Sequence, residues 1–208
     1  HSSDLNGDGV SELLFAGYSD GQTLIYWGQG TPSSPSWSAS QRAELPTPGA
    51  HCPAVADLNG DGLPEVISSH YASNDQYIYW GQAGGTYGVQ YSASARTVLG
   101  PAAVGVAAAD LNRDGRPELI FGVVSGDSYI YWGQAGGTYG VQYSASARTA
   151  LPTSFGVGPA VADLNRDGLP EVIFINYSGS HTYVYWGQAG GTYGVQYSAS
   201  ARTDLSTG

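Results

Sequence analysis

A nine-residue segment, Asp4-Leu5-Asn6-Gly7-Asp8-Gly9-Val10-Ser11-Glu12, returns with the same polar skeleton at Asp57 to Glu65, Asp110 to Glu118 and Asp163 to Glu171, at a constant step of 53 residues. Each copy reads D-x-N-x-D-G-x-x-E. Oxygen-bearing side chains at the first, third and fifth positions of such a loop can converge on one centre, and Gly at the sixth permits the sharp turn that lets them do so. The segment is a candidate cation cage, and four evenly spaced cages make the chain a tandem repeat. An Asp-, Asn- and Gly-rich turn that binds nothing is the plain alternative. Turn preference alone does not explain four copies in one spacing.

The cages also account for the charge. The formal net charge is -10, and 12 of the 17 acidic residues lie in the four loops, which leaves five carboxylates elsewhere against four of the seven arginines. One divalent cation per cage would bring the total near -2, so the acidity reads as metal demand and not as a repulsive surface. No basic stripe exists for nucleic acid. Cys52 is the only cysteine, so no intrachain disulfide forms and no Cys and His cluster suggests zinc. No apolar run approaches the roughly 20 residues a membrane helix needs, and no signal-peptide core precedes the first cage.

Between cages the chain is rich in Gly, Tyr and Trp, a turn-rich β composition without helical periodicity. The block from Tyr79 to Thr97 recurs unchanged at Tyr131 to Thr149 and Tyr185 to Thr203, which implies recent duplication or design. The first copy, Tyr26 to Ser40, diverges and is one residue shorter. Within a unit, Phe155 to Ala162 and Glu171 to Asn176 read as buried strands on either side of the cage. Thr182 to Trp186 reads as a third strand, and Val195 to Arg202 as a more exposed fourth after a turn at Gly187 to Gly194.

Four strands in about 50 residues, repeated, give an all-β chain of four-stranded antiparallel β-propeller blades. The small residues of Ala103 to Ala109 suit innermost strands crowded around a central channel. The chain, 1–208, is one repeat domain with units counted from the cage at 4–56, 57–109, 110–162 and 163–208. Only three residues precede Asp4, so the first blade is expected to lack its innermost strand. Either the chain is a piece of a longer array or a partner supplies the missing strand; such an open end invites pairing with another chain, and a homo-oligomer of two chains closing an eight-blade ring is the simplest symmetric closure.

At this point the residues resemble the FG-GAP and related VCBS-type repeats, the blades of integrin alpha-subunit propellers and of many bacterial surface proteins. Phe155-Gly156, the run to Asp163-Leu164-Asn165-Arg166-Asp167-Gly168 and the following Glu171-Val172-Ile173-Phe174 match that repeat in order and spacing, over nearly the whole chain. The resemblance implies a Ca²⁺-binding propeller acting in adhesion or recognition outside the cytoplasm. The family usually builds seven or more blades, so four units leave closure to be explained.

By that match the ligands are the side chains at the first, third, fifth and ninth positions and the carbonyl at the seventh. They are Asp4, Asn6, Asp8, Val10 and Glu12; Asp57, Asn59, Asp61, Leu63 and Glu65; Asp110, Asn112, Asp114, Arg116 and Glu118; Asp163, Asn165, Asp167, Leu169 and Glu171. Arg116 would offer only its backbone, with its side chain pointing away. The loop is not an EF-hand, because its acidic closing residue comes too early and strands flank it. All-oxygen ligation favours Ca²⁺ over softer metals, and a flexible loop favours it over Mg²⁺. One ion per repeat suits a structural clamp.

Two further sets of residues have a bland and a functional reading. Trp27, Trp80, Trp132 and Trp186 end the third strands and read as packing between blades. Tyr87, Tyr139 and Tyr193 sit in Gly-Gly-Thr-Tyr-Gly turns, where a ring could stack on a glycan or a protein partner, or simply pack. Repetition would make weak sites multivalent. An enzyme is the rival class, but His51, His70 and His181 stand at unrelated places in the repeat and no recurrent nucleophile accompanies them. The sequence therefore predicts a secreted or cell-surface, calcium-stabilised, non-catalytic recognition or adhesion module. A self-assembling architectural unit is the alternative, and a carbohydrate-active enzyme the remote one.

Overall fold

The computed structural model of the chain describes residues 1–71, 73–177 and 181–206. These form four four-stranded antiparallel sheets, joined in sequence order, with no α-helix among the described residues. The second sheet takes Ala50–Ala56, Glu65–His70, Gln76–Tyr79 and Arg96–Leu99 in spatial order. The third takes Gly105–Ala109, Glu118–Gly122, Asp127–Tyr131 and Arg148–Pro152. The fourth takes Gly156–Ala162, Glu171–Asn176, His181–Tyr185 and Arg202–Ser206. Each cage is the connection from a sheet's first strand to its second.

The first sheet corrects an expectation. It has a first strand, Ser2–Ser3, in which Ser2 pairs with Leu13 and Ser3 with Glu12, followed by Glu12–Gly17, Gln22–Tyr26 and Arg42–Pro46. Its inner strand is cut to two residues, not missing. The first sheet therefore meets the second through Glu12–Gly17, whereas Ala50–Ala56, Gly105–Ala109 and Gly156–Ala162 pack against one another in turn.

The fourth strand is the second correction. In the last repeat it is Arg202–Ser206, paired with His181–Tyr185, and not Val195 to Arg202. The stretch from Gly187 is a turn only in part. It holds a separate two-stranded hairpin, Gln188–Ala189 with Val195–Gln196, followed by a 3-10 turn at Ala199–Ala201. Gln82–Ala83 with Val89–Gln90 and Gln134–Ala135 with Val141–Gln142 are its counterparts, and Gln29–Thr31 with Ser34–Ser36 the divergent first copy. Alternation in Val-Gln-Tyr-Ser-Ala-Ser-Ala-Arg reflects a hairpin arm and a turn, since period two alone does not fix which strand a segment pairs with.

The core lies between successive sheets. Leu5, Leu14, Ile25, Trp27 and Leu45 pack on Val66 and Tyr79 of the next sheet and on Val89 of its hairpin. Leu58, Ile67, Ile78, Trp80 and Leu99 pack on Leu119, Phe121, Tyr131 and Val141. Leu111, Ile120, Ile130, Trp132 and Leu151 pack on Val172, Phe174, Tyr185 and Val195. A second strand such as Glu118-Leu119-Ile120-Phe121-Gly122 is buried throughout because sheets cover both of its faces, which is why it reads as an unbroken apolar run. Where inner strands approach most closely the residues are small: a Cβ on Gly105 would lie 2.9 Å from the Gly158 nitrogen.

Candidate metal centre

The loop backbone is shaped by its own side chains. Asp4 Oδ1 accepts the Gly7 N–H at 2.8 Å and Oδ2 the Gly9 N–H at 2.9 Å, while Asn6 Oδ1 accepts the Asp8 N–H and Asp8 Oδ1 the Val10 N–H. The second cage repeats all four bonds with Asp57, Asn59 and Asp61. Asp163, Asn165 and Asp167 bond the Gly168, Asp167 and Leu169 amides in the same way. Asx side chains that hold nearby N–H groups wind the loop around themselves, and in cages one, two and four the third-position amide meets the fifth-position aspartate. Gly9, Gly62, Gly115 and Gly168 all have φ between 84° and 88°, the left-handed geometry expected at the sixth position. The fourth position is left-handed too, at 74° in Gly7 and Gly60, yet at 61° and 62° in Arg113 and Arg166. With Gly in two copies and Arg in the other two, residue type at the fourth position does not disclose that requirement.

The ninth-position carboxylates sit deeper. Glu12, Glu65, Glu118 and Glu171 are fully buried, and one oxygen of each accepts the N–H of the second-position leucine at 2.6 to 2.7 Å. The other oxygen is poorly served. It draws a long bond from the glycine after the tryptophan in cages one and three, at 3.3 and 3.4 Å, and the corresponding Oε1 atoms of Glu65 and Glu171 have no hydrogen-bond partner. Burial pushes the Glu65 and Glu118 carboxyls up to about 8, opposed by the leucine N–H, and the aspartates of the same loop push further upward. Glu12 is raised by the same causes. A buried carboxylate with an unfilled oxygen and acidic neighbours lacks positive charge. Together with hard oxygen donors from Asp and Asn, that deficit fits Ca²⁺.

Among the described residues, no three Asp, Glu, His or Cys side chains gather closely enough to hold a metal by themselves. The cages place Asn at the third position, and each Glu is turned to the leucine N–H inside the repeat. The twenty predicted ligands thus divide into a surface loop and a buried carboxylate beneath it.

Cage three departs from the pattern and corrects another expectation. The Arg116 side chain does not point away: its Nη2 donates to Asp114 Oδ2 at 3.0 Å. In the other three cages the equivalent aspartate oxygen accepts from the Asn side chain, at 2.9 to 3.1 Å. Arg116 Nε is buried without a partner, so the guanidinium is held from one side only.

Residues outside the loops support them. Tyr91, Tyr143 and Tyr197 donate their hydroxyls to the eighth-position carbonyls of Pro64, Pro117 and Pro170, and burial raises each phenol above its usual range. In the first repeat Trp37 Nε1 reaches the Ser11 carbonyl at 3.0 Å instead. The glycine after each tryptophan lets the hairpin lie on the cage: a Cβ on Gly81 would meet the Leu63 carbonyl oxygen at 2.7 Å, and one on Gly187 the Pro170 carbonyl oxygen at 2.8 Å. Recurrence of Tyr-Trp-Gly beside the cage was the signal for this contact.

The turn tyrosines have partners. Tyr87 stacks on Trp27 at 4.7 Å, Tyr139 on Trp80 and Tyr193 on Trp132 both at 4.6 Å, each within 14° of parallel. One face of every ring is therefore taken by the preceding repeat. Trp27, Trp80 and Trp132 are buried as expected, but Trp186, which no tyrosine covers, is only half-buried. Of the histidines, His70 is a core residue, bonded to Ser68 and the Pro48 carbonyl, and His51 lies edge-on to Tyr18 and Tyr71.

The sequence model of the FG-GAP-like repeat matches residues 4–68 and again 57–121. No curated protein matches the chain. Among solved structures, the chain is similar to BBS1N, crystallised in complex with ARL6DN and soaked with lead. The TM-score is 0.56 at 17% identity, over 99% of this chain and 55% of that one. It is also similar to the Vibrio cholerae biofilm matrix protein Bap1, with a TM-score of 0.41 at 21% identity, over 90% of this chain and 34% of that one. The chain thus spans about half the length of the first of these structures and a third of the second.

Proposed function

The chain belongs to the FG-GAP-like repeat family, and from that premise we propose that it is a Ca²⁺-stabilised β-propeller module that recognises a glycan or protein outside the cell and performs no catalysis. In this reading each four-stranded sheet is a blade and each cage a clamp between its first two strands. One observation carries it: the same loop recurs four times, each with a fully buried glutamate beneath it, and in every case that glutamate's second oxygen has a long hydrogen bond or none. Ca²⁺ would be held by the Asp and Asn oxygens of the loop and the seventh-position carbonyl, with the glutamate beneath. Bound there, the ion supplies the positive charge that offsets three carboxylates in one turn.

Recognition, not chemistry, is supported by how the polar groups are used. His70 is committed to the core, and the carboxylates best suited to acid-base work lie in the cages. A protein ligand has a precedent in the fold, since BBS1N is crystallised with a protein partner. Chelation is the test. A cage held at 100 times its Kd adds about 2.7 kcal/mol, or roughly 5 to 10 °C in a chain of this size. EDTA should therefore lower the melting temperature by at least that much, and re-added Ca²⁺ should restore it. A melt that is the same with and without EDTA would refute the clamp.

A further inference from the structure

The 53-residue step that spaces the cages also spaces a second position. Counted from Tyr18 it reaches Tyr71, Val124 and Tyr177, each close past the end of a second strand. Every second strand starts at its cage glutamate, so these residues stand at the end of the sheets away from the cages. The three tyrosines are 57%, 48% and 82% exposed. Tyr71 belongs to the second sheet, which packs on a neighbour at each side, so its exposure is not owed to a chain end. Unlike Tyr87, Tyr139 and Tyr193, which each give a face to a tryptophan, Tyr18 and Tyr71 meet His51 at steep angles, with ring centres 5.1 and 5.8 Å away.

Val124 is the exception in the series, and its small side chain opens a pit where a ring would otherwise stand. The pit holds about 570 Å³ and is walled by the rings of His51, Tyr71 and Tyr177 and by Val104, Val124 and Val157. That volume lies within the roughly 300–1,000 Å³ of small-ligand sites. A second hollow of about 460 Å³ adjoins it through Tyr71 and Val124 and adds Asn74 and Ser125. The segments between second and third strands contain Asp20 and Asp75 and neither Lys nor Arg, and Asp127 follows Val124 by three residues. Arg96 and Arg148 lie over Tyr77 and Tyr129 and do not line the pit.

These walls select a ligand by chemistry. A sugar would find few donors and acceptors among valines and ring faces, and a carboxylate or phosphate would find no cation. A trimethylammonium group suits both properties of the pit: its methyls pack on aliphatic side chains, and its positive charge is attracted by the electron-rich faces of tyrosine. The acidity of the chain draws the same charge toward it. We propose that the pit binds a quaternary ammonium group between Tyr71 and Tyr177 over Val124, with the polar remainder of the ligand in the hollow beside Asn74 and Ser125. The site adds a ligand class to the recognition reading above and does not depend on calcium.

Calorimetric titration of choline into the chain tests it, with the neutral isostere 3,3-dimethylbutan-1-ol alongside. Choline should saturate a single site, and the isostere, which has the same shape without the charge, should bind about tenfold more weakly. Tyr71→Ala should weaken choline binding by about tenfold or more. Val124→Tyr gives the third repeat the residue of the other three, at a position only half-buried, so it should fill the pit and abolish binding while the melting temperature holds. Vesicles of phosphatidylcholine present the same group on a surface: cosedimentation with them assigns a membrane source to the ligand, and choline binding without it a soluble one. Absence of heat from choline at tens of millimolar, an isostere that binds as tightly as choline, or a Val124→Tyr chain that binds as the wild type does would overturn the proposal. A chain that EDTA destabilises, or that binds a glycan or protein, yet ignores choline would lose this site alone.

Discussion

Cages two and three are built from the same nine-residue pattern, yet they close it differently. In cage two the second oxygen of Asp61 meets the Asn59 side chain, which a cation can replace by rotation of an amide. In cage three the second oxygen of Asp114 meets Arg116, a fixed positive charge that stands where part of a cation's charge would act. The sixth-position amide binds the first aspartate alike in both, Gly62 to Asp57 and Gly115 to Asp110, although Asp110 Oδ1 takes the Asp114 amide where Asp57 Oδ1 takes that of Gly60. Backbone shape is thus set by Asp, Asn and Gly whatever balances the charge, and a repeated fold need not be a repeated affinity. Cage two should be the stronger calcium site and cage three the weaker one.

The largest expected effect comes from removing the first-position aspartate. Asp57 holds two loop amides, at Gly60 and Gly62, besides the ligand role proposed for it. In saturating Ca²⁺, Asp57→Ala should cost about 2 to 4 kcal/mol in urea unfolding, the scale of two lost charge-assisted hydrogen bonds. Asp110→Ala should cost less, because a weaker site surrenders less binding energy. In EDTA the two losses should converge. Equal losses in Ca²⁺ would mean that Arg116 does not distinguish the cages.

How much of this was legible in the sequence depends on what each residue answers to. The cage was legible because Asp-x-Asn-x-Asp-Gly acts locally: each side chain bonds an amide two to five residues away, so spacing encodes geometry. The second strands were legible because burial on both faces leaves an unbroken apolar run. The fourth strand was not, since Val195-Gln196 and Arg202 to Ser206 differ in pairing partner, which is decided by distant residues. Arg116 was misjudged for a related reason. Its place in the loop is set by the backbone, but its side chain answers to Asp114. The stack of Tyr139 on Trp80 joins residues of different repeats, and a single repeat cannot reveal it.

A smaller effect should follow from Arg116→Leu, which gives cage three the residue found at Leu63 and Leu169. Removing the guanidinium frees Asp114 and also removes the buried, unpartnered Nε. Calorimetric titration should then show cage three binding Ca²⁺ about tenfold more tightly, a difference of about 1.4 kcal/mol. Placing the cation in cage two, Leu63→Arg, should weaken that site by a similar factor. If neither substitution moves its site, the Arg116 pair is a surface contact with little influence, as exposed ion pairs often are.

The finest distinction between the two cages lies in the fourth position. Gly60 and Arg113 both take a left-handed backbone, at φ of 74° and 61°, which costs a residue with a Cβ roughly 1 kcal/mol. A Cβ on Gly60 would meet nothing within 4 Å, so Gly60→Arg adds conformational strain without a clash. Arg113 recovers part of that cost, because its guanidinium lies against Gly168 of the next cage, 2.8 Å from where a Cβ there would stand. Gly60→Arg should therefore destabilise by about 1 kcal/mol, while Arg113→Gly should stabilise by less than that. Urea unfolding in EDTA measures both without interference from metal affinity. If Arg113→Gly gained as much as Gly60→Arg lost, the contact with cage four would contribute nothing, and the two loops would differ in strain alone.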